Sequence, residues 1–195
     1  MEETYGRCAM GEEMLFEKTL AKDIVFSGRV FDTEVRQVQL PNGQTATREV
    51  VMHPGAVCIV AVTQEGEVLL ERQWRTGYEG VTLEIPAGKL DTREEAPLDA
   101  AKRELREETG ATAARWTDLG VYYGSPAILH EAIHMYLAEG LTFGETQPDE
   151  DEFILLERLP LERAVEMVLA GNIPDGKTQC GILRLAMMKR KSEEA

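Results

Sequence analysis

Ala56–Thr63, AVCIVAVT, is an unbroken apolar run bounded by His53-Pro54-Gly55 on one side and Glu65-Gly66 on the other. A short run of this kind between turn signals reads as a buried strand. EVLLERQWR returns beyond the second turn as a partner strand, and VTLEIPAG follows. Then the period changes. Pro97–Thr109 carries its apolar residues at helical spacing and runs into Gly110, where a helix stops in a left-handed turn. Further strands are expected at WTDLGVYY, AIHMYLAEG and FILLERL. Two helices follow, Leu161–Ala170 before Gly171 and about Asp175–Lys191, the latter with Lys189, Arg190 and Lys191 in its last turn. Strands mixed with helices in this order predict an α/β sandwich with a mixed sheet.

Upstream, Asp23–Phe31, Thr33–Leu40 and QTATREVVMH are short and β-branched, with a Pro41-Asn42-Gly43 turn before the third. They predict a small N-terminal antiparallel sheet. The expected division is therefore residues 1–52 as a strand-rich extension and 53–195 as the main domain. A net charge of −14 over 195 residues is unfavourable for a nucleic-acid or anionic-membrane surface, since both need a positive footprint. A phosphate-bearing ligand would need a cation between it and the protein. Three widely spaced cysteines, Cys8, Cys58 and Cys180, suit reduced thiols, and no run reaches the length of a signal peptide or membrane span. The expectation is a soluble cytoplasmic protein.

The helix at Pro97–Thr109 holds the chemistry. At about 100° per residue, Leu98, Ala101 and Leu105 share the sector that packs on the sheet, while Glu104, Glu107 and Glu108 share a neighbouring one. Like charges at this spacing weaken a helix by about 0.2–0.5 kcal/mol per pair. Three converging carboxylates suit Mg²⁺, a hard cation that keeps waters and binds substrate phosphates. The bland alternative is a solvated face partly neutralised by Arg103 and Arg106.

The surrounding pattern decides between them. Gly88, Glu95 and Arg103-Glu104-Leu105-Arg106-Glu107-Glu108-Thr109-Gly110-Ala111 resemble the box of the Nudix hydrolases. The spacer after Gly88 is one residue longer than the family's; Glu95 is the preferred match, because it keeps the distance to Arg103, with Glu94 as the alternative. The resemblance implies a Nudix α/β/α sandwich in which Glu104, Glu107 and Glu108 ligate Mg²⁺, or Mn²⁺ in its place, aided by the Ala87 carbonyl. Arg103 would orient them. Such a site cuts the phosphoanhydride between a nucleoside diphosphate and another group.

Pro126, together with REVVMHPGAV, ERQWR, LEIPAGKL and DGKTQCGILRL, resembles the ADP-ribose pyrophosphatase branch. That branch implies a general base from the acidic loop ETQPDEDEF: Glu150 is the choice, Asp149 and Asp151 are rivals, and Glu152 would reach the metal. Arg72 and Arg75 would face the diphosphate and Glu84 the ribose or an amino group. Gly88 and Pro126 join the substrate-binding set. Trp74 is a candidate to stack on adenine against the blander alternative of filling core, and Phe26 and Phe31 have the same status. The branch also implies a domain-swapped homodimer in which the N-terminal sheet helps to build the partner's adenine pocket. The implied reaction converts ADP-ribose to AMP and ribose 5-phosphate, with GDP-mannose, other nucleoside diphosphate sugars and flavin dinucleotides as competing substrates. A non-catalytic Nudix regulator is disfavoured because the box glutamates are present.

One further motif competes. His130-Glu131-Ala132-Ile133-His134 spells HExxH, which binds zinc only on a helix. Pro126 lies just upstream and IHMYLA reads as a strand, on which the two histidines would stand about 13 Å apart. The acidic loop is not an EF-hand, lacking the glycine that turn requires.

Overall fold

The structure is a computed structural model describing residues 11–147 and 152–194. A 3-10 turn, Glu12–Leu15, precedes β1 (Lys18–Ser27), β2 (Asp32–Gln39) and β3 (Thr45–Met52). Then come β4 (Ala56–Val62), β5 (Glu67–Arg75), β6 (Gly80–Glu84) and β7 (Ala87–Lys89). Helix α1 (Pro97–Thr109) leads into β8 (Ala111–Tyr122), β9 (Leu129–His130), β10 (Ile133–Phe143) and β11 (Ile154–Pro160). Helices α2 (Leu161–Leu169) and α3 (Gly176–Glu193) follow. The chain divides into two compact units.

The smaller unit comprises the described residues through His53 together with Ser125–His130. Its sheet runs β1-β2-β3-β9, so the three expected antiparallel strands gain a fourth, parallel to β3 at Val51↔Leu129 and Met52↔His130. Ser125–His130 joins this unit through β9, a two-residue strand that carries no periodic signal in the sequence. The run Asp23–Phe31 is not one strand either. β1 starts earlier and ends at Ser27, and the Gly28 N–H bonds the Phe31 carbonyl at 3.0 Å to close a turn. Every residue of β1 is exposed, including Leu20, Ile24, Val25 and Phe26.

The larger unit is a three-layer sandwich. Its sheet has the order β11-β5-β4-β10-β8, with β6 beside β5 and β7 beside β4. Pairing is mixed: β10 lies parallel to β4, whereas β8, β11 and β6 are antiparallel to their neighbours. Alternation along β4 explains why its run is continuously apolar. Val57, Ile59 and Ala61 pack with Ala100, Ala101 and Leu105 of α1, whereas Cys58, Val60 and Val62 pack with Leu161, Ala164, Ile182 and Leu185 of α2 and α3. Helix α1 begins with Pro97 at its first turn and ends at Gly110, whose φ of +69° is left-handed. A Cβ there would meet the Gly144 carbonyl at 2.5 Å, so both conformation and space require glycine. Helix α3 is capped by Asp175, which accepts from the Thr178 N–H at 2.9 Å. Among the described residues, no helix is long and apolar enough to cross a membrane.

Candidate active site

Strand β7 sets Ala87 and Gly88 beside β4 through the pairs Cys58↔Ala87 and Val57↔Gly88, and the loop after it feeds α1. A Cβ on Gly88 would lie 1.9 Å from the Glu104 carboxyl carbon, so the missing side chain makes room for that carboxylate.

Arg103 gathers the acids around it. Its Nη1 donates to Glu104 at 2.8 Å and to Glu107 at 3.2 Å, Nε donates to Glu95 at 3.3 Å, and Nη2 reaches the Lys89 carbonyl at 3.3 Å. Glu95 also accepts the Asp91 N–H at 2.7 Å and closes the spacer loop on itself. Burial would raise the Glu95 pKa, but the Asp91 N–H and Arg103 hold it below the usual carboxylate range. Glu95, and not the exposed Glu94, is therefore the acid that meets Arg103.

Glu108 is 3% exposed and accepts the Ala87 N–H at 3.1 Å. Burial pushes its carboxyl pKa up, and the charges of Glu71, Glu104 and Glu152 push it further. Burial likewise raises Glu104, with Arg103 opposing the shift. Glu71 is fully buried, and among the described residues neither of its carboxylate oxygens has a hydrogen-bond partner. Among the described residues no three acidic, histidine or cysteine side chains are grouped closely enough to hold a metal ion, and Arg103 holds Glu104 and Glu107. The donor set nonetheless suits a hard divalent cation: oxygens only, in excess of local positive charge, with one carboxylate orphaned.

Next to this group, Glu84 is 2% exposed and receives a fork from Arg75 at 2.8 and 2.9 Å, with Lys177 and the Thr82 hydroxyl also donating. Burial would raise its carboxyl, but Arg75 and Lys177 bring it down to about 2. Glu84, which the sequence reading gives to ribose or an amino group, thus anchors Arg75 in this structure. Arg75, Tyr78, Thr82, Glu84, Pro174, Asp175 and Lys177 line a cleft of about 370 Å³. Arg72 lies outside that lining and pairs across strands with Glu157 at 2.7 Å. Trp74 is 59% exposed and does not fill core.

Glu152 is half-buried, and its charge is felt at Glu71, Glu104 and Glu108. Glu150, Asp149 and Asp151 lie outside the described residues. Pro126 is exposed and belongs to the smaller unit. HExxH is not helical: His130 ends β9, Glu131 and Ala132 have no regular structure, and His134 lies in β10. Sequence reasoning missed two residues. Glu71 was legible as a charge at a buried position of β5, and Lys177 sits in DGKT, a segment with no chemical pattern of its own.

The NUDIX domain model matches residues 52–178. The chain is 45% identical over 175 residues to the ADP-ribose pyrophosphatase of Bacillus subtilis (strain 168), covering 89% of this chain and 94% of that one. It is 41% identical over 175 residues to the methanol dehydrogenase activator of Bacillus methanolicus, with the same coverage. It also superposes on the crystal structure of an ADP compounds hydrolase with a TM-score of 0.80 over 92% of this chain and 97% of that one, at 23% identity, a likeness of fold.

Proposed function

This chain belongs to the NUDIX family, and on that premise we propose that it is a divalent-metal-dependent pyrophosphatase that hydrolyses ADP-ribose to AMP and ribose 5-phosphate. The observation that carries the proposal is the group of buried carboxylates at the C-terminal end of α1, organised by Arg103 and short of positive charge.

Glu104 and Glu108 would hold the cation, with Glu107, Glu152 and the Ala87 carbonyl completing the sphere. We assign Mg²⁺, with Mn²⁺ as the substitute. When bound, the ion neutralises the diphosphate, lowers the pKa of a coordinated water and stabilises the leaving phosphate. Arg103 fixes the angle at which Glu104 and Glu107 are presented, since a guanidinium fork restrains planar carboxylates better than an ammonium does. Glu150 takes the proton of the attacking water. Water oxygen bonds to one phosphorus as the bridging P–O bond breaks, and the departing phosphate keeps the bridging oxygen. Arg75 has five N–H donors, of which the Glu84 fork engages two, and Arg72 adds positive charge from the same strand. Trp74 offers an exposed aromatic face for adenine. Pro126 is assigned to the substrate set by its resemblance to the ADP-ribose branch.

Incubation with ADP-ribose, GDP-mannose and FAD in Mg²⁺, followed by chromatography of the products, tests the reading. Equal amounts of AMP and ribose 5-phosphate are expected. If ADP-ribose survives while GDP-mannose is cut, the substrate assignment fails.

Gly88→Ala is expected to leave the melting temperature within a few degrees, because the flexible Glu104 side chain can yield to the new methyl group. Moving that carboxylate should lower activity about 10–100-fold, as displaced support of a metal ligand does. Unchanged kcat and KM would remove Gly88 and Glu104 from the site.

We further propose a domain-swapped homodimer built through the N-terminal sheet. The wholly exposed β1, with Ile24, Val25 and Phe26, supports it, since apolar surface this contiguous marks an interface. Sedimentation should give a dimer, and a fully active monomer would refute the arrangement. A cytoplasmic location fits the free thiols of Cys58 and Cys180.

A further inference from the structure

Glu71 has no place in the box of the α1 helix. Strand alternation puts it on the same face as Leu69, which packs with Ala100, Ala101 and Leu105 of α1. Glu71 is the next residue of that row after Leu69, and its charge acts on Glu108 of α1. Glu71 is fully buried there, and among the described residues neither oxygen receives a hydrogen bond. The nearest cations do not answer it. Arg75 forks onto Glu84, the register partner of Glu71 across β5 and β6, and Lys177 bridges Glu84 and Asp175. Arg75 and Lys177 reach Glu71 only through space and without a hydrogen bond, while the charges of Glu84 and Glu152 oppose them and Glu71 and Glu108 repel each other. A buried carboxylate persists only with a compensating partner, and a protonated one would still need partners for both oxygens.

We propose that Glu71 is an additional ligand of the divalent cation site, a strand-borne carboxylate that meets Glu108 of the box helix and binds metal jointly with it. This rests on the metal-dependent reading above and goes beyond it, because Glu71 lies outside the box. A hard cation between Glu71 and Glu108 would satisfy the orphaned oxygens and relieve the repulsion at one stroke.

The test is Mn²⁺ binding to EDTA-stripped protein, followed by calorimetry and by the electron paramagnetic resonance signal of free Mn²⁺. Glu71→Gln keeps the shape and removes the charge, and Glu71→Val replaces it with a strand-compatible apolar residue. Both are expected to bind Mn²⁺ at least tenfold more weakly, or with one equivalent fewer, and to show a smaller Mn²⁺-induced rise in melting temperature than the wild type. If both variants keep wild-type stoichiometry and affinity while Glu108→Gln loses them, Glu71 is not a ligand and the box-helix site stands. If the wild type itself binds no Mn²⁺, the metal-dependent reading falls and this inference with it.

Discussion

Glu108→Gln is expected to lower kcat/KM by about 10²–10³-fold, and at neutral pH to make the metal-free protein harder to unfold. The first effect follows from losing an anionic ligand. Metal contributes several kcal/mol of charge stabilisation, and each ~1.4 kcal/mol is a tenfold change in rate. The second has the opposite sign because the carboxyls of Glu71, Glu104 and Glu108 are all shifted upward, first by burial and then by neighbouring acids, which for Glu108 include Glu71 and Glu104. The folded state then binds more protons than the unfolded chain between the ordinary carboxylate range and the raised values. Stability of the metal-free protein is therefore fullest below that range and declines as pH rises through it. A glutamine in place of Glu108 still accepts the Ala87 N–H, offers its amide toward Glu71, and cancels one of the crowded charges. Urea unfolding in EDTA at about pH 5 and about pH 8 reads both effects. Metal-free wild type that gains stability with rising pH, or a variant that is both inactive and less stable at neutral pH, would contradict this account.

Glu150→Gln should reduce kcat about 10²–10⁴-fold, the range for removal of a general base, while KM and Mn²⁺ affinity stay near wild type. The split separates a proton acceptor from a metal ligand: Glu152→Gln is expected to weaken Mn²⁺ binding as well. The acidic limb of the pH–kcat profile should disappear with Glu150 and persist with Glu152. Turnover of Glu150→Gln close to wild type would move the base to a neighbouring acid of the loop.

Helix α1 was readable because its signals agree locally: Pro97 at the start, apolar residues on one face, Gly110 at the stop. β4 was readable because a strand buried on both faces has nothing polar to interrupt it. Less was legible where an element is defined by its partner. β9 exists only through its pairing with β3, and the turn at Gly28–Phe31 hides inside an apolar run. At the site, spacing grouped Glu104, Glu107 and Glu108 on one sector of the helix, but the bond from the Ala87 N–H to Glu108 and the hold of Lys177 on Glu84 depend on contacts between distant segments. Glu71 illustrates the limit. Its charge is visible in ERQWR, yet its isolation follows from Arg75 and Lys177 both turning to Glu84, which no local pattern reports. HExxH shows the converse, a spacing that means zinc only on a helix and here crosses from β9 into β10.

The parallel alignment of β4 with β10, in which Ala56 partners Ile133, has a temporal consequence. Everything from β5 to β9 lies between the two central strands in the chain, so a large loop must close before the middle of the sheet exists. A ribosome that has delivered β4 alone leaves both apolar faces of that strand in water. The nascent protein should therefore lean on chaperones until Ile133–Phe143 emerges, and stalled fragments ending before it should aggregate rather than fold.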